Sequence, residues 1–225
     1  MKKNLHLYIV LIVLLSCQSK HENKSESANP SNIISIRKAR DLPIGSEVRI
    51  QGVISVASGK FSSSTPFGYA LQDNTAGIYI IDSIPPMQGE FRLGELVEVT
   101  GILEESNNLL VIKEVKALKK GKEEIISAIE VKTGDVNEST EGMILRTSGT
   151  IDSLYSDLPY GYKIYINDGS GLLNIFINTS TGLVRDTAQW NISDSLWVIG
   201  FSAQFDTEYE IEPRTKADLQ IFSGN

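Results

Sequence analysis

The chain is poor in the residues from which most catalytic centres are built. It contains one cysteine, Cys17, and two histidines, His6 and His21, and all three lie at its beginning. Everything after residue 21 lacks both side chains. That excludes from it a Ser-His-Asp triad, a Cys-His pair and any zinc site built on His or Cys. A lone cysteine has no disulfide partner in its own chain. Positive charge is also short: 21 Lys and Arg stand against 28 Asp and Glu, a net charge of −7. The deficit falls late, because residues 123–225 hold 6 basic and 16 acidic side chains while residues 31–122 hold 11 and 10. A phosphate backbone needs a concentrated positive field, so the later half is a poor match for nucleic acid. Long hydrophobic runs are missing too, since no run reaches the roughly 20 residues that a membrane-spanning helix needs.

What is present begins with Leu5 to Leu15, an almost unbroken apolar stretch behind Lys2 and Lys3. A short apolar core after a positive start is the layout of a secretory signal. The stretch closes in Leu14-Leu15-Ser16-Cys17, which resembles the bacterial lipobox, where the cysteine is lipidated through its thiol and becomes the new N-terminus. The expectation is therefore a signal peptide over residues 1–16, a lipidated Cys17 and attachment to the membrane by its acyl chains, each buried methylene contributing about 0.8 kcal/mol. A cleaved signal with an incidental cysteine is the alternative. Residues 18–32, QSKHENKSESANPSN, carry no large apolar side chain and read as a flexible tether. In enteric lipoproteins an aspartate after the cysteine favours the inner membrane, so by resemblance Gln18 favours the outer membrane. Whether the periplasmic or the surface face is meant stays open.

The remainder divides into halves that repeat each other, expected as domains over 33–122 and 123–225. VRIQGVISV, YALQDNTAGIYIID and LGELVEVTGILEE are matched by ILRTSGTID, KIYINDGSGLLNIFI and ISDSLWVIGFSAQ. Gly52 corresponds to Gly149, Asp73 to Asp168, Gly77 to Gly171 and Gly101 to Gly200, at offsets of 94 to 99 residues. Four landmarks in one order at a nearly constant offset indicate a tandem duplication. Alternation of apolar and polar residues, as in Glu47 to Val56, predicts half-buried strands. Glycines inside such runs mark bends or bulges, and Gln72-Asp73-Asn74-Thr75-Ala76-Gly77 predicts a tight turn in which glycine supplies a positive φ. Each half thus predicts about five strands, enough to close a small barrel.

On these motifs the chain resembles the OB-fold domains that accompany secreted bacterial nucleases. The turn after Tyr69-Ala70-Leu71 and the run Gly94-Glu95-Leu96-Val97-Glu98-Val99-Thr100-Gly101 carry the likeness, and the second half follows it less closely. The resemblance implies an all-β chain of two tandem five-stranded Greek-key barrels. Neither half has room for a nuclease domain, so the resemblance specifies fold far better than function.

Candidate ligand residues divide between the halves. In the first, Phe61, Phe67, Tyr69 and Tyr79 lie near a lysine run that includes Lys116, Lys119 and Lys120. Stacking aromatics beside a basic groove suit single-stranded nucleic acid. Filling of the barrel by those rings is the competing reading. In the second, Tyr155, Tyr160 and Tyr162 surround Asp157 in the loop after the first strand, a set that suits sugars or peptides. Asp206, Glu208, Glu210 and Glu212 would share one face of a strand opposite Tyr209 and Ile211, favouring a solvated face over a cation site because such a row does not converge. Leu183 to Trp190 reads as a short helix plugging the barrel. The expected protein is a lipid-anchored, non-catalytic envelope module with no metal or cofactor. Its expected ligand is an oligosaccharide, peptide or protein partner, with single-stranded nucleic acid on the first barrel as the alternative and a structural or adaptor role without a small ligand as a third.

Overall fold

The computed structural model describes residues 32–82, 91–121, 126–183 and 190–222. The signal segment, Cys17 and nearly all of the tether lie outside the described residues, as does the interior of the segment expected as a plugging helix.

The chain is all-β. A short helix α1 (Ile36–Arg40) precedes β1 (Glu47–Val56), β2 (Gly68–Gln72), β3 (Gly77–Ile81), β4 (Leu96–Ser106) and β5 (Leu109–Lys119). These strands close a barrel in the order β1-β2-β3-β5-β4, with β4 returning to β1. The second half contributes β6 (Ile129–Glu130), β7 (Ile144–Asp157), β8 (Gly161–Asn167), β9 (Leu172–Asn178), β10 (Ser195–Phe205), β11 (Glu208–Glu212) and β12 (Leu219–Phe222). Here β7-β8-β9-β11-β10 repeats the same order, and pairing of β10 with β7 closes it. Each barrel has one parallel pair in the same place, β3 with β5 and β9 with β11. This is the OB-like architecture that the repeat predicts.

Strand patterning follows from period-two burial. Along β1, Val48, Ile50, Gly52 and Ile54 point inward while Glu47, Arg49, Gln51 and Val53 between them are half-buried. The inward series runs through Gly52 to Ile54. Ile50, Ile54, Tyr69, Leu71, Ile78, Val97 and Ile112 fill the first core; Leu145, Ile164, Ile175, Leu196 and Ile211 fill the second. Leu183 and Trp190 pack on the second core, so both ends of the expected plug reach the barrel. The repeated glycines mark close approaches of backbone. A Cβ on Gly101 would lie 2.4 Å from the Lys113 carbonyl oxygen, and one on Gly200 would lie 2.5 Å from that of Glu212.

The repeated aspartates are staples. Asp73 accepts hydrogen bonds from the backbone N–H of Ile36 at 2.8 Å and from Thr75 and Ala76, tying the turn to the start of α1. Burial would raise its pKa, but these donors outweigh it and hold the carboxyl below the usual range. Asp168 does the same to Thr133, accepting from its hydroxyl at 2.7 Å. Gly77 corrects the turn expectation: its role is not a positive φ. A Cβ there would sit 1.8 Å from the Gly142 carbonyl oxygen, so glycine is required where the two halves touch.

That contact is extensive. Val56, Phe61, Ala70, Tyr79, Leu109 and Val111 of the first half form one buried cluster with Ile144, Phe201 and Ala203 of the second. The Phe201 ring lies 6.0 Å from Phe61 and 6.1 Å from Tyr79. Burying each such side chain is worth about 1.5–3 kcal/mol. A buried ion pair crosses the same seam: Arg40 Nη2 lies 2.8 Å from Glu141 Oε1, while Arg40 Nη1 donates to the Gly77 carbonyl.

Candidate ligand groove

OB barrels commonly take ligands on the outer face of their second and third strands and on the loops joining strands one to two and four to five. In the first barrel all three features grip the second barrel. Ala70 and Tyr79 on the β2–β3 face are in the buried seam, and Gln72 Oε1 accepts the Ile144 N–H at 2.8 Å. From the β1–β2 loop, the Phe61 carbonyl and Ser64 Oγ accept hydrogen bonds from Asn178 Nδ2, Ser63 Oγ donates to Asn178 Oδ1, and the Lys60 carbonyl accepts from Ser180 Oγ. From the β4–β5 turn, Asn108 Nδ2 donates to the Asp206 carbonyl, and the Asn107 carbonyl accepts the Asp206 N–H.

Three sequence candidates are corrected by this arrangement. Phe61 and Tyr79 are buried in the seam, because the second barrel covers the face from which they project. Tyr69 points the other way, into the first barrel, where its ring lies 4.6 Å from that of Phe91 and its hydroxyl donates to Glu114 at 2.5 Å. None of the three can stack on a base. Phe67 is half-buried, its ring packed close over Gly59. Lys119 is paired with Glu95 at 2.9 Å and Lys120 with Glu98 at 3.1 Å. Lys116 is exposed and lines a shallow depression with Arg49, Glu98, Thr100 and Leu118.

On the second barrel the corresponding face is covered at β9, where Asn174, Phe176 and Asn178 are buried, and accessible along β8 and the β7–β8 turn. Two adjoining depressions cross it and share Lys163. One is lined by Asp152, Ser153, Tyr155, Lys163, Tyr165 and Leu172. The other is a cavity of about 260 Å³ where the barrels meet, lined by Asp157, Tyr160, Lys163, Phe176, Phe205 and Glu210, with Ser64 and Asn107 contributed by the first barrel. Tyr155 and Tyr165 meet edge to face at 5.8 Å, and Tyr155 and Tyr160 are 55 % and 51 % exposed. Tyr162, one residue out of phase on β8, packs against the core and does not reach the groove.

The carboxylate row takes a different place from the expected solvated face. Asp206 sits in the β10–β11 turn at φ 55°, and β11 begins at Glu208. Glu210 and Glu212 are only 6 % and 3 % exposed, because the loops of the first barrel lie over the outer face of β11. Asn174 Nδ2 donates to Glu210 Oε2 at 2.8 Å, and Lys163 Nζ lies 3.4 Å from Glu208 Oε2. Burial pushes the Glu210 carboxyl up to about 8; Lys163 pulls it down, while Glu208 and Asp157 push it further up. Glu212 is raised for the same first reason, with Glu210 adding to it. Burial and the neighbouring Glu208 also raise the Tyr165 hydroxyl, so it stays a donor.

Sequence reasoning reached Tyr155, Tyr160 and Asp157 but missed Lys163, Tyr165, Asn174, Phe176 and Phe205. A signal for the miss exists in Leu172-Leu173-Asn174-Ile175-Phe176-Ile177-Asn178, where two asparagines and Phe176 alternate on one face of an otherwise apolar strand. Among the described residues no group of three or more His, Cys, Asp or Glu is arranged to hold a metal ion.

No family model matches the chain, and no curated protein does. Similar solved structures include a murine DNA-binding protein bound to double-stranded DNA, at 7 % identity over 78 % of this chain and 99 % of that one, with a TM-score of 0.42. An OBody bound to hen egg-white lysozyme is 16 % identical over 45 % of this chain and 100 % of its own, at a TM-score of 0.36. The Stn1-Ten1 complex of S. pombe is 13 % identical over 36 % and 59 %, at a TM-score of 0.31.

Proposed function

We propose that the chain is a non-catalytic binding module that takes an oligosaccharide, peptide or protein partner in the groove on the second barrel, held at a cell-envelope membrane, favouring the outer one, by lipid on Cys17. One observation carries the ligand side of this reading. The face that an OB barrel offers its ligands is covered in the first barrel and, in the second, stays accessible along β8 and at the cavity by the seam. The open face presents tyrosine rings, carboxylates and one lysine, a set that suits hydroxyl- and amide-bearing ligands and opposes a phosphate chain.

Glycan and peptide arrays probed with the full-length protein in detergent test this, with binding expected on one of the two and lost in Tyr155→Ala. Arrays that bind nothing, or hits indifferent to Tyr155, would remove the groove from the account. The anchor is tested separately by Cys17→Ser, which is expected to move the protein out of the membrane fraction.

A second reading, single-stranded nucleic acid on the first barrel, has its own observation in the exposed Lys116 beside Arg49 on the β1–β4–β5 side. It requires sub-micromolar, salt-sensitive binding of short single-stranded DNA that weakens in Lys116→Gln. Non-specific attraction alone gives dissociation constants of about 10⁻⁴ to 10⁻⁶ M.

A further inference from the structure

We propose that the cavity where the two barrels meet receives a basic side chain, lysine or arginine, from a peptide segment lying in the groove. The proposal rests on the groove reading and gives it a ligand chemistry.

The cavity combines apolar walls with an excess of hydrogen-bond acceptors. Phe176, Phe205 and the Tyr160 ring line it, and Glu210 and Asp157 supply carboxylates. Glu210 faces the cavity although its side chain is almost wholly buried, and among the described residues its hydrogen-bond donor is Asn174. A carboxylate offers about four acceptor positions, so one amide donor leaves it under-satisfied. Behind it, the buried Oδ1 of Asn174 has no hydrogen-bond partner among the described residues. The neighbouring cation, Lys163, lies against Glu208. A ligand that brings several N–H donors on a positive centre would complete this set, and charge-assisted bonds of that kind are among the strongest available. The apolar walls choose between sources of that charge. Phe176 and Phe205 suit the methylene stem of a basic residue. An amino sugar brings the charge without a methylene stem to lie along those rings.

The groups around Glu210 give the proposal a pH signature. Lys163 on β8, Asp157 at the end of β7, and Glu208 and Glu212 on β11 face it; Tyr165 bonds Glu208, and Tyr79 of the first barrel faces Glu212. With its carboxyl raised to about 8 by burial first, Glu210 carries a proton through much of the neutral range. An incoming cation must displace that proton. Affinity should therefore rise with pH up to about 8 and level off above it, while a lysine ligand stays charged to about 10.

Ligand-observed NMR titration of the full-length protein in detergent tests this, using Nα-acetyl-lysine methylamide, its arginine and norleucine counterparts, and glucosamine. Saturable binding of the lysine or arginine probe is expected, at least tenfold tighter than norleucine. It should strengthen about fiftyfold between pH 6 and pH 8, as the deprotonated share of Glu210 rises. Glu210→Gln should weaken it about tenfold at pH 8 and flatten the pH profile, and Asp157→Asn, nearer the rim, should weaken it severalfold. Equal binding of lysine and norleucine probes, tighter binding of glucosamine, or basic-probe affinity unchanged in both variants would each overturn the proposal. Array ligands lost in Tyr155→Ala, together with an inert lysine probe, would keep the groove and remove the basic side chain. Arrays and probe both inert would remove both.

Discussion

Replacing Arg40 with methionine removes the buried cation that joins α1 to the second half and leaves Glu141 behind. The Glu141 side chain has no exposure; among the described residues its Oε1 keeps the Leu110 N–H at 3.3 Å and its Oε2 has no hydrogen-bond partner. In the intact protein burial already raises this carboxyl despite the hydrogen bond and charge of Arg40. Without Arg40, one route keeps the charge, and stripping one partner from a buried pair costs about 3–5 kcal/mol. The other route takes up a proton. For a carboxyl that titrates near 4.3 when unfolded, this costs about 3–4 kcal/mol at pH 7 and about 1 kcal/mol at pH 5. The cheaper route limits the loss. Forfeiting the bond to the Gly77 carbonyl adds about 1 kcal/mol at either pH. Because the folded pKa is raised, this part of the stability is complete below the unfolded pKa and is lost as pH rises through the folded one. Urea unfolding should therefore show Arg40→Met destabilised by about 4 kcal/mol at pH 7 and by about half of that at pH 5. Arg40→Met with Glu141→Gln should recover most of the pH-dependent part, since the amide oxygen can still accept from Leu110. A loss under 1 kcal/mol at pH 7, or one that is equal at both pH values, would refute the reasoning.

Two further outcomes follow from the repeated landmarks. Gly101→Ala should destabilise the protein by about 1–3 kcal/mol, because its Cβ would overlap the Lys113 carbonyl oxygen at 2.4 Å and the barrel wall must move. Gly45→Ala, with nothing within 4 Å and only its φ of +88° against it, should cost about 1 kcal/mol, and thermal melts of the two variants side by side check the contrast. Asp73→Ala should cost about 1.5–3 kcal/mol, since it leaves the Ile36, Thr75 and Ala76 N–H groups without their acceptor, and hydrogen exchange at Ile36 should accelerate with it. The wild-type contribution of Asp73 is present above the ordinary aspartate pKa and is lost as pH falls through its lowered one.

The barrels were legible because each rests on local pattern. Alternation along β1, the glycines at close approaches and the Asp73 and Asp168 turns are written in short stretches, and their repetition supplied the second barrel from the first. The groove was legible only in part because its boundaries are set by how the barrels meet. Phe61 and Tyr79 read as stacking platforms when the first barrel is considered alone, and nothing local says that Phe201 will lie against both. The clue was compositional. The outward positions of β2 and β3 include Ala70 and Gly77, small residues that let another surface approach, whereas β8 turns Lys163 and Tyr165 outward. The same packing buries Glu210 and Glu212, which strand periodicity places on an outer face and so assigns to solvent. Tyr162 shows the converse: loop composition grouped it with Tyr155 and Tyr160, and strand phase sends it inward.

The central claim is that the second barrel seals the ligand face of the first and leaves the β8 side of its own accessible. Hydroxyl-radical footprinting of the full-length protein, read residue by residue, measures this directly. Tyr155 and Tyr160 should be oxidised rapidly, while Phe61, Tyr69 and Tyr79 stay protected until the protein unfolds. Oxidation of Tyr79 and Phe61 in the native protein at the rate of Tyr155 would contradict the account, since it would mean that the first barrel keeps its face free.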